Sequence, residues 1–130
     1  MFHYTVETTK TIEEAITSLE ENLKEKNFGV LWQFDIKDKL QEKGLDFDQS
    51  YRVLEVCNPH EAQRVLTQNQ MVGYFLPCKI VVYDDGDGGK TKIGIPRPSA
   101  LIEMVKDESI KELAIDIEHR LITCIDKSAS

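Results

Sequence analysis

The sequence has few of the features that identify membrane proteins and nucleic-acid-binding proteins. Its longest uninterrupted apolar run covers only residues 80–83, far too short to cross a bilayer. Acidic residues outnumber basic residues by 23 to 16, which gives a formal net charge of −7. No run of five or more basic residues offsets this acidity. We therefore expect no membrane segment and no nucleic-acid partner.

Cysteine is also scarce, with Cys57, Cys78 and Cys124 as its three instances. An odd number does not suit a framework of disulfide bonds. Residues 1–20 have no basic start followed by an apolar block, so we expect no secretory signal. The expected location is cytoplasmic, with reduced thiols. Cys124 falls in an amphipathic helical pattern and is interpreted as a core residue.

What is present suits one domain, residues 1–130, with a single hydrophobic core. Alternating apolar residues predict strands, and apolar residues at helical spacing predict helices between and after them. The predicted strands are residues 2–8, 28–34, 51–57, 79–83 and 91–95. The predicted helices are residues 11–23, 35–43, 58–66, 99–106 and 109–125, and residues 71–76 are predicted to be a short extended segment.

This order of elements predicts an α+β fold. A two-layer sandwich is expected, with helices on one face of a mainly antiparallel sheet, because a hairpin follows the early alternation of helices and strands. A doubly wound parallel sheet is less favoured, because no glycine-rich turn joins a strand to a helix. In the second strand, Phe28, Val30, Trp32 and Phe34 are predicted to share one face. They would form plain core or line an apolar cleft.

Two apparent motifs in the loop at residues 84–91 do not have the residues that their chemistry needs. Gly88-Gly89-Lys90-Thr91 resembles the end of a phosphate-binding loop, but Asp84 stands where that loop needs glycine, and a strand follows. Asp85-Gly86-Asp87 resembles the start of a calcium loop, but the later ligand positions are lost. We interpret this segment as a hairpin turn.

The strongest candidate for chemistry is a pair of thiols, Cys57 and Cys78, each beside a proline-containing turn. Asn58 is predicted to cap the helix after the third strand, with Pro59 at its first position. That helix start would lower the pKa of the neighbouring Cys57 thiol. With His60, the two thiols would suit zinc or another soft ion. The alternative is that both thiols simply fill space in the core.

The same residues resemble a known family. Glu55-Val56-Cys57-Asn58-Pro59, followed by Gly73-Tyr74-Phe75-Leu76-Pro77-Cys78 and a hydrophobic strand, are similar to the domain-of-unknown-function 302 family. The resemblance covers most of the chain. It implies a small two-layer α+β domain, grouped with folds like that of TATA-box-binding protein, and a homodimer. It implies no established activity, and the fold analogy does not predict DNA binding.

Three functions are compatible with these observations. The favoured hypothesis is a small cytoplasmic homodimeric binding or sensor module, with a ligand or metal site at Cys57, Asn58 and Cys78. The second is a thiol-dependent redox enzyme, for which His60 is the evident candidate base. The third is a structural or interaction protein whose cysteines only pack. The sequence favours a non-enzymatic function.

Overall fold

The computed structural model describes residues 1–85 and 89–130. Its strands and helices follow the predicted order closely, with some changes in length. The strands are β1 (His3–Thr8), β2 (Gly29–Asp35), β3 (Tyr51–Cys57), β4 (Cys78–Asp84) and β5 (Thr91–Pro96). The helices are α1 (Ile12–Glu25), α2 (Ile36–Glu42), α3 (Pro59–Gln68), α4 (Pro98–Ile102) and α5 (Lys111–Ala129).

The five strands form one antiparallel sheet in the order β1-β5-β4-β3-β2. Helices α1 and α5 pack against each other and against this sheet. The prediction of an α+β fold with helices on a mainly antiparallel sheet is therefore confirmed. The β4–β5 hairpin is confirmed as a strand pair. Its predicted turn and the two rejected motifs include residues 86–88, which lie outside the described residues.

The core lies between the helices and one face of the sheet. The apolar stripe of α1 is buried, and Thr11 and Glu14 form a capping box at its start. The stripe of α5 is buried in the same cluster, together with alternate residues of the three central strands. Fully or almost fully buried residues include Leu19, Leu23, Leu54, Val56, Ile80, Val82, Ile93, Leu121 and Ile125.

The segment from Phe28 to Phe34 does not place its four alternating apolar residues on one face, so that prediction is wrong. A register shift between Val30 and Trp32 inserts an extra residue into the strand. Phe28 is buried in the core, whereas Trp32 is 54% exposed and lies opposite Glu55 of β3. A bulge of this kind reverses the side on which later residues point. Phe34 therefore lies on the opposite side of the sheet, stacked on Trp32.

The segment between α3 and β4 also differs from its predicted conformation. Gln70–Phe75 is a 3₁₀ helix instead of an extended segment. Asn69 begins it, because its side chain accepts a hydrogen bond from the Met71 backbone N–H. Shorter 3₁₀ turns at Glu103–Val105 and Glu108–Ile110 connect α4 to α5. These compact turns carry the chain around the end of the sheet where the candidate site lies.

Candidate functional site

The end of β3 and the start of α3 have the predicted local structure. Asn58 is the N-cap of α3, and its side-chain oxygen accepts hydrogen bonds from the backbone N–H groups of His60 and Glu61 at 3.1 and 3.3 Å. Pro59 occupies the first helical position, where no N–H is needed. Asn58 is only 6% exposed, so these bonds are made inside the protein.

The structure brings the two predicted thiols into one neighbourhood. Cys78 begins β4 and lies directly opposite Val56 of β3, the residue before Cys57. Both cysteines, with Asn58 and Glu61, line a cavity of about 20 Å³ between α3 and the sheet. We call this space the small cavity. It has room for no more than about one water molecule.

The pKa of Cys57 shifts in the direction opposite to the predicted one. Burial raises the pKa of Cys57, so the nearby helix start does not lower it. Burial also raises the pKa of Cys78 to about 11, and the neighbouring Cys57 contributes to this rise. Both thiols are therefore protonated at neutral pH, where a thiol is a poor nucleophile and a poor metal ligand.

His60 is on the exposed first turn of α3, where it follows the cap residue Asn58. Among residues 1–85 and 89–130, no group of three or more histidine, cysteine, aspartate or glutamate side chains is placed to hold a metal ion. A zinc site at Cys57, Cys78 and His60 stays a prediction, and no cofactor is established.

Glu61, which lines the small cavity, belongs to a cluster of charged side chains. The Glu61 carboxylate pairs with Arg64 at 2.7 Å and with Arg120 of α5 at 2.9 Å. The Arg120 guanidinium also lies 5.7 Å from the centre of the Phe28 ring. Burial of a carboxylate is tolerated when cations pair with it. This cluster ties α3 to α5 and does not leave a free acid for catalysis.

A second cavity, of about 310 Å³, was not predicted from the sequence. We call it the large cavity. It lies between the 3₁₀ helix, α4, the first half of α5 and the ends of β4 and β5, and its walls are almost entirely apolar. Its lining consists of Val65, Val72, Tyr74, Phe75, Leu76, Pro77, Cys78, Lys79, Ile95, Pro96, Pro98, Leu101, Ile102, Ile110, Ala114, Ile117 and Leu121.

The two cavities are neighbours with a common wall. Val65, Leu76, Cys78 and Ile117 line both of them. Cys78 is therefore the point at which the predicted site and the large cavity meet. The available sequence signal was the concentration of prolines: three of the four in the chain, Pro77, Pro96 and Pro98, line the large cavity. Each lies at an end of a regular element: Pro77 precedes β4, Pro96 ends β5 and Pro98 begins α4.

The side of the sheet that faces away from α1 and α5 presents a set of aromatic and aliphatic side chains outside the core cluster. We call it the helix-free face, because α1 and α5 do not cover it. Across it runs a row of paired residues, Phe34, Val53, Val81, Gly94 and Thr5. Tyr51 and Tyr83 stack beside this row with ring centres 4.9 Å apart. On the other side of the row, Lys79 pairs with Glu55 at 3.6 Å.

In the described part of the chain, every helix is too short or too polar to cross a bilayer.

Comparison with known proteins agrees with this architecture. No curated protein matches the chain. A crystal structure of an uncharacterized conserved DUF302 protein from Bacillus stearothermophilus is 56% identical, covers 98% of both chains and superposes with a TM-score of 0.94. The family model for the domain of unknown function DUF302 matches residues 4–128, and the chain belongs to this family.

Proposed function

We propose that this protein is a binding module for a small apolar ligand held in the large cavity. The observation that supports this is the cavity itself, about 310 Å³ with an almost wholly apolar lining. Pockets that bind small molecules have volumes from about 300 Å³ upward and are mostly apolar, with a few polar groups. Cys78 belongs to this site as part of the wall that the two cavities share.

The chemistry of the walls favours binding over catalysis. Among the described residues that line the large cavity there is no histidine and no carboxylate. Cys78 is protonated at neutral pH because burial raises its pKa to about 11. A thiol-dependent redox enzyme needs an accessible thiolate or a base to generate one. Neither requirement is supported by this geometry.

The test is a titration with small apolar molecules, followed by calorimetry and thermal melting. We expect n-hexanol to bind the wild type and raise its melting temperature, because a ligand that binds only the folded state stabilises it. Ala114→Phe fills the large cavity and should abolish binding. Ile115→Phe, on the exposed side of the same helix, should leave binding unchanged.

Two outcomes would contradict this function. The first is that neither n-hexanol nor larger apolar probes bind the wild type. The second is that Ala114→Phe, while folded, binds as well as the wild type. Metal analysis of the purified protein tests the competing occupant: stoichiometric zinc that is lost in Cys57→Ser would place the ligand site at the thiols instead.

We further propose that the protein is a homodimer joined through the helix-free face. A two-fold axis along the row from Phe34 to Thr5 packs that row against itself. The same axis places Lys79 over Tyr83 of the second copy, which allows a cation–π contact. An axis along β4 would place Lys79 over Lys79. Charge complementarity therefore favours the first arrangement.

Sedimentation equilibrium tests the dimer. Val81 lies at the centre of the row, so Val81→Lys places two like charges in contact and should give a monomer. Ile115→Lys makes the same kind of change on α5, away from this face, and should remain dimeric. A wild type that is monomeric at all accessible concentrations would remove the proposal, as would a Val81→Lys dimer.

A further inference from the structure

The β4–β5 ladder ends beside the large cavity, and the way in which it ends determines which backbone groups are free to meet a ligand. The last paired residues of this ladder are Val81 and Gly94. If the same register continued, the next two residues whose backbone groups face each other across the ladder would be Lys79 and Pro96. Proline has no backbone N–H, so Pro96 cannot donate a hydrogen bond to the Lys79 carbonyl.

The direction of the backbone groups follows from hydrogen bonds at the strand ends. The Asp84 N–H donates to the Ser50 carbonyl, on the β3 side of β4. Because backbone groups alternate along a strand, those of Lys79 point to the β5 side. The Arg97 N–H donates to the Phe2 carbonyl, on the β1 side of β5, so the Pro96 carbonyl points toward β4.

The Lys79 carbonyl is thus an acceptor that β5 cannot satisfy, located where both Lys79 and Pro96 line the large cavity. Lys79 is an exposed residue, so a carbonyl that its ladder does not satisfy takes its donor from water or from a ligand. The Lys79 ammonium does not supply a charge to the interior, because it pairs with Glu55 on the helix-free face. Two other polar side chains belong to the lining: the protonated Cys78 thiol, which is a weak donor, and Tyr74, which is 80% exposed.

We propose that the ligand is a neutral, apolar molecule with a single hydrogen-bond donor, of which an aliphatic alcohol is the simplest example. Its O–H donates to the Lys79 carbonyl, and its hydrocarbon part fills the apolar volume. This inference rests on the proposed binding function. A carboxylate is disfavoured because it can only accept hydrogen bonds, and because its charge would be buried without a cation.

Two isomers test the donor directly. n-Hexanol and pentyl methyl ether have the same atoms, but only the alcohol can donate a hydrogen bond. By calorimetry we expect the wild type to bind n-hexanol about fivefold more tightly than the ether, the effect of one ordinary hydrogen bond. Hexanoate at neutral pH should bind more weakly than both.

Pro96→Ala connects this preference to the ladder. Alanine supplies the missing N–H to the Lys79 carbonyl, so the ratio of alcohol to ether affinity should fall to about one while ether binding is retained. Pro98→Ala also removes a proline from the cavity wall, but at the first position of α4, and should keep the wild-type ratio. Melting curves establish that both variants are folded.

The outcomes separate this inference from the function on which it rests. Equal binding of both isomers by the wild type would overturn the donor preference and leave an apolar binding site intact. Tighter binding of hexanoate than of n-hexanol would also overturn it. A folded Pro96→Ala variant that keeps the preference would remove the Lys79 carbonyl as its cause. Binding of neither isomer and of no larger apolar probe would instead overturn the binding function.

Discussion

At the scale of single residues, the buried carboxylate of Glu118 holds the start of α4 against α5. The start of α4 includes Pro98, which lines the large cavity. Glu118 of α5 accepts hydrogen bonds from the Ser99 N–H at 3.0 Å, from the Ser99 hydroxyl at 2.6 Å and from the Arg97 guanidinium at 3.2 Å. Arg97 also donates to the Met1 carbonyl at 2.8 Å. These bonds join α5 to the start of α4 and to the start of the chain.

We predict that Glu118→Gln lowers the free energy of unfolding at pH 7 by about 1–3 kcal/mol, the usual effect of weakening a buried, charge-assisted hydrogen bond. Burial alone would raise the pKa of Glu118, but the bonds from Ser99 and Arg97 hold it below its ordinary value. A lowered folded-state pKa stabilises the protein above about pH 4.3, and this stabilisation is lost as the pH falls further.

The measurement is chemical denaturation of both proteins across acidic pH. The difference in stability between wild type and Glu118→Gln should shrink as the pH falls through the folded-state pKa of Glu118. Glu112→Gln, on the exposed side of α5, is the matched control and should change stability little. A difference that is constant with pH would show that the charge of Glu118 does not contribute.

The thiols allow a second prediction at this scale. Because burial raises the pKa of Cys57 and Cys78, alkylation by iodoacetamide at pH 7 should be slower for both than for an unfolded control peptide. Labelling of Cys78 should accelerate as the pH rises toward about 11. Mass spectrometry of wild type and Cys57→Ser assigns the rates. Fast labelling of either residue at pH 7 would instead support a redox function.

At the scale of elements, most helices and strands were predictable because their apolar periodicity and caps are local signals. The stripe of α1 with its Thr11 cap, and the Asn58-Pro59 start of α3, are examples. The bulge in β2 was not predictable in this way. Trp32 and Phe34 continue the alternation of Phe28 and Val30 in the sequence, and only the pairing with β3 shows the extra residue.

The candidate site was also predictable only in part. The sequence identified Cys57 and Cys78 as a candidate pair, and the pairing of β3 with β4 places them close together. The predicted direction of the Cys57 pKa shift was wrong, because burial of a thiol depends on residues distant in sequence such as Phe28 and Ile117. The large cavity was missed for a related reason: it lies between elements that are apolar on their inner faces, and such faces normally close on one another.

The N-cap of α3 gives a prediction for an element. Asn58→Ala should lower the free energy of unfolding by about 1–2 kcal/mol, because the backbone N–H groups of His60 and Glu61 lose their acceptor. Asn58→Ser keeps an acceptor oxygen and should recover most of this loss. Denaturant titration with a common slope measures both. Equal stability of Asn58→Ala and wild type, or equal losses for both variants, would contradict the role of the cap.

At the scale of the whole molecule, the sheet separates two surfaces with different proposed tasks. The large cavity lies on the side of the helices, and the proposed dimer contact is on the helix-free face. Side chains of a strand alternate between these two sides, so neighbours such as Ile80 and Val81 belong to different surfaces. Because the sheet separates the two surfaces, we expect that ligand binding and assembly can be changed separately.

We therefore predict that Val81→Lys separates the two properties. As a monomer, it should have a melting temperature that does not vary with protein concentration, whereas that of the dimeric wild type should rise with concentration. It should nevertheless bind n-hexanol with wild-type affinity, because Val81 does not line the cavity. Ala114→Phe should show the reverse pattern, remaining a dimer without binding. Loss of n-hexanol binding in a folded Val81→Lys monomer would show instead that the cavity depends on the second copy.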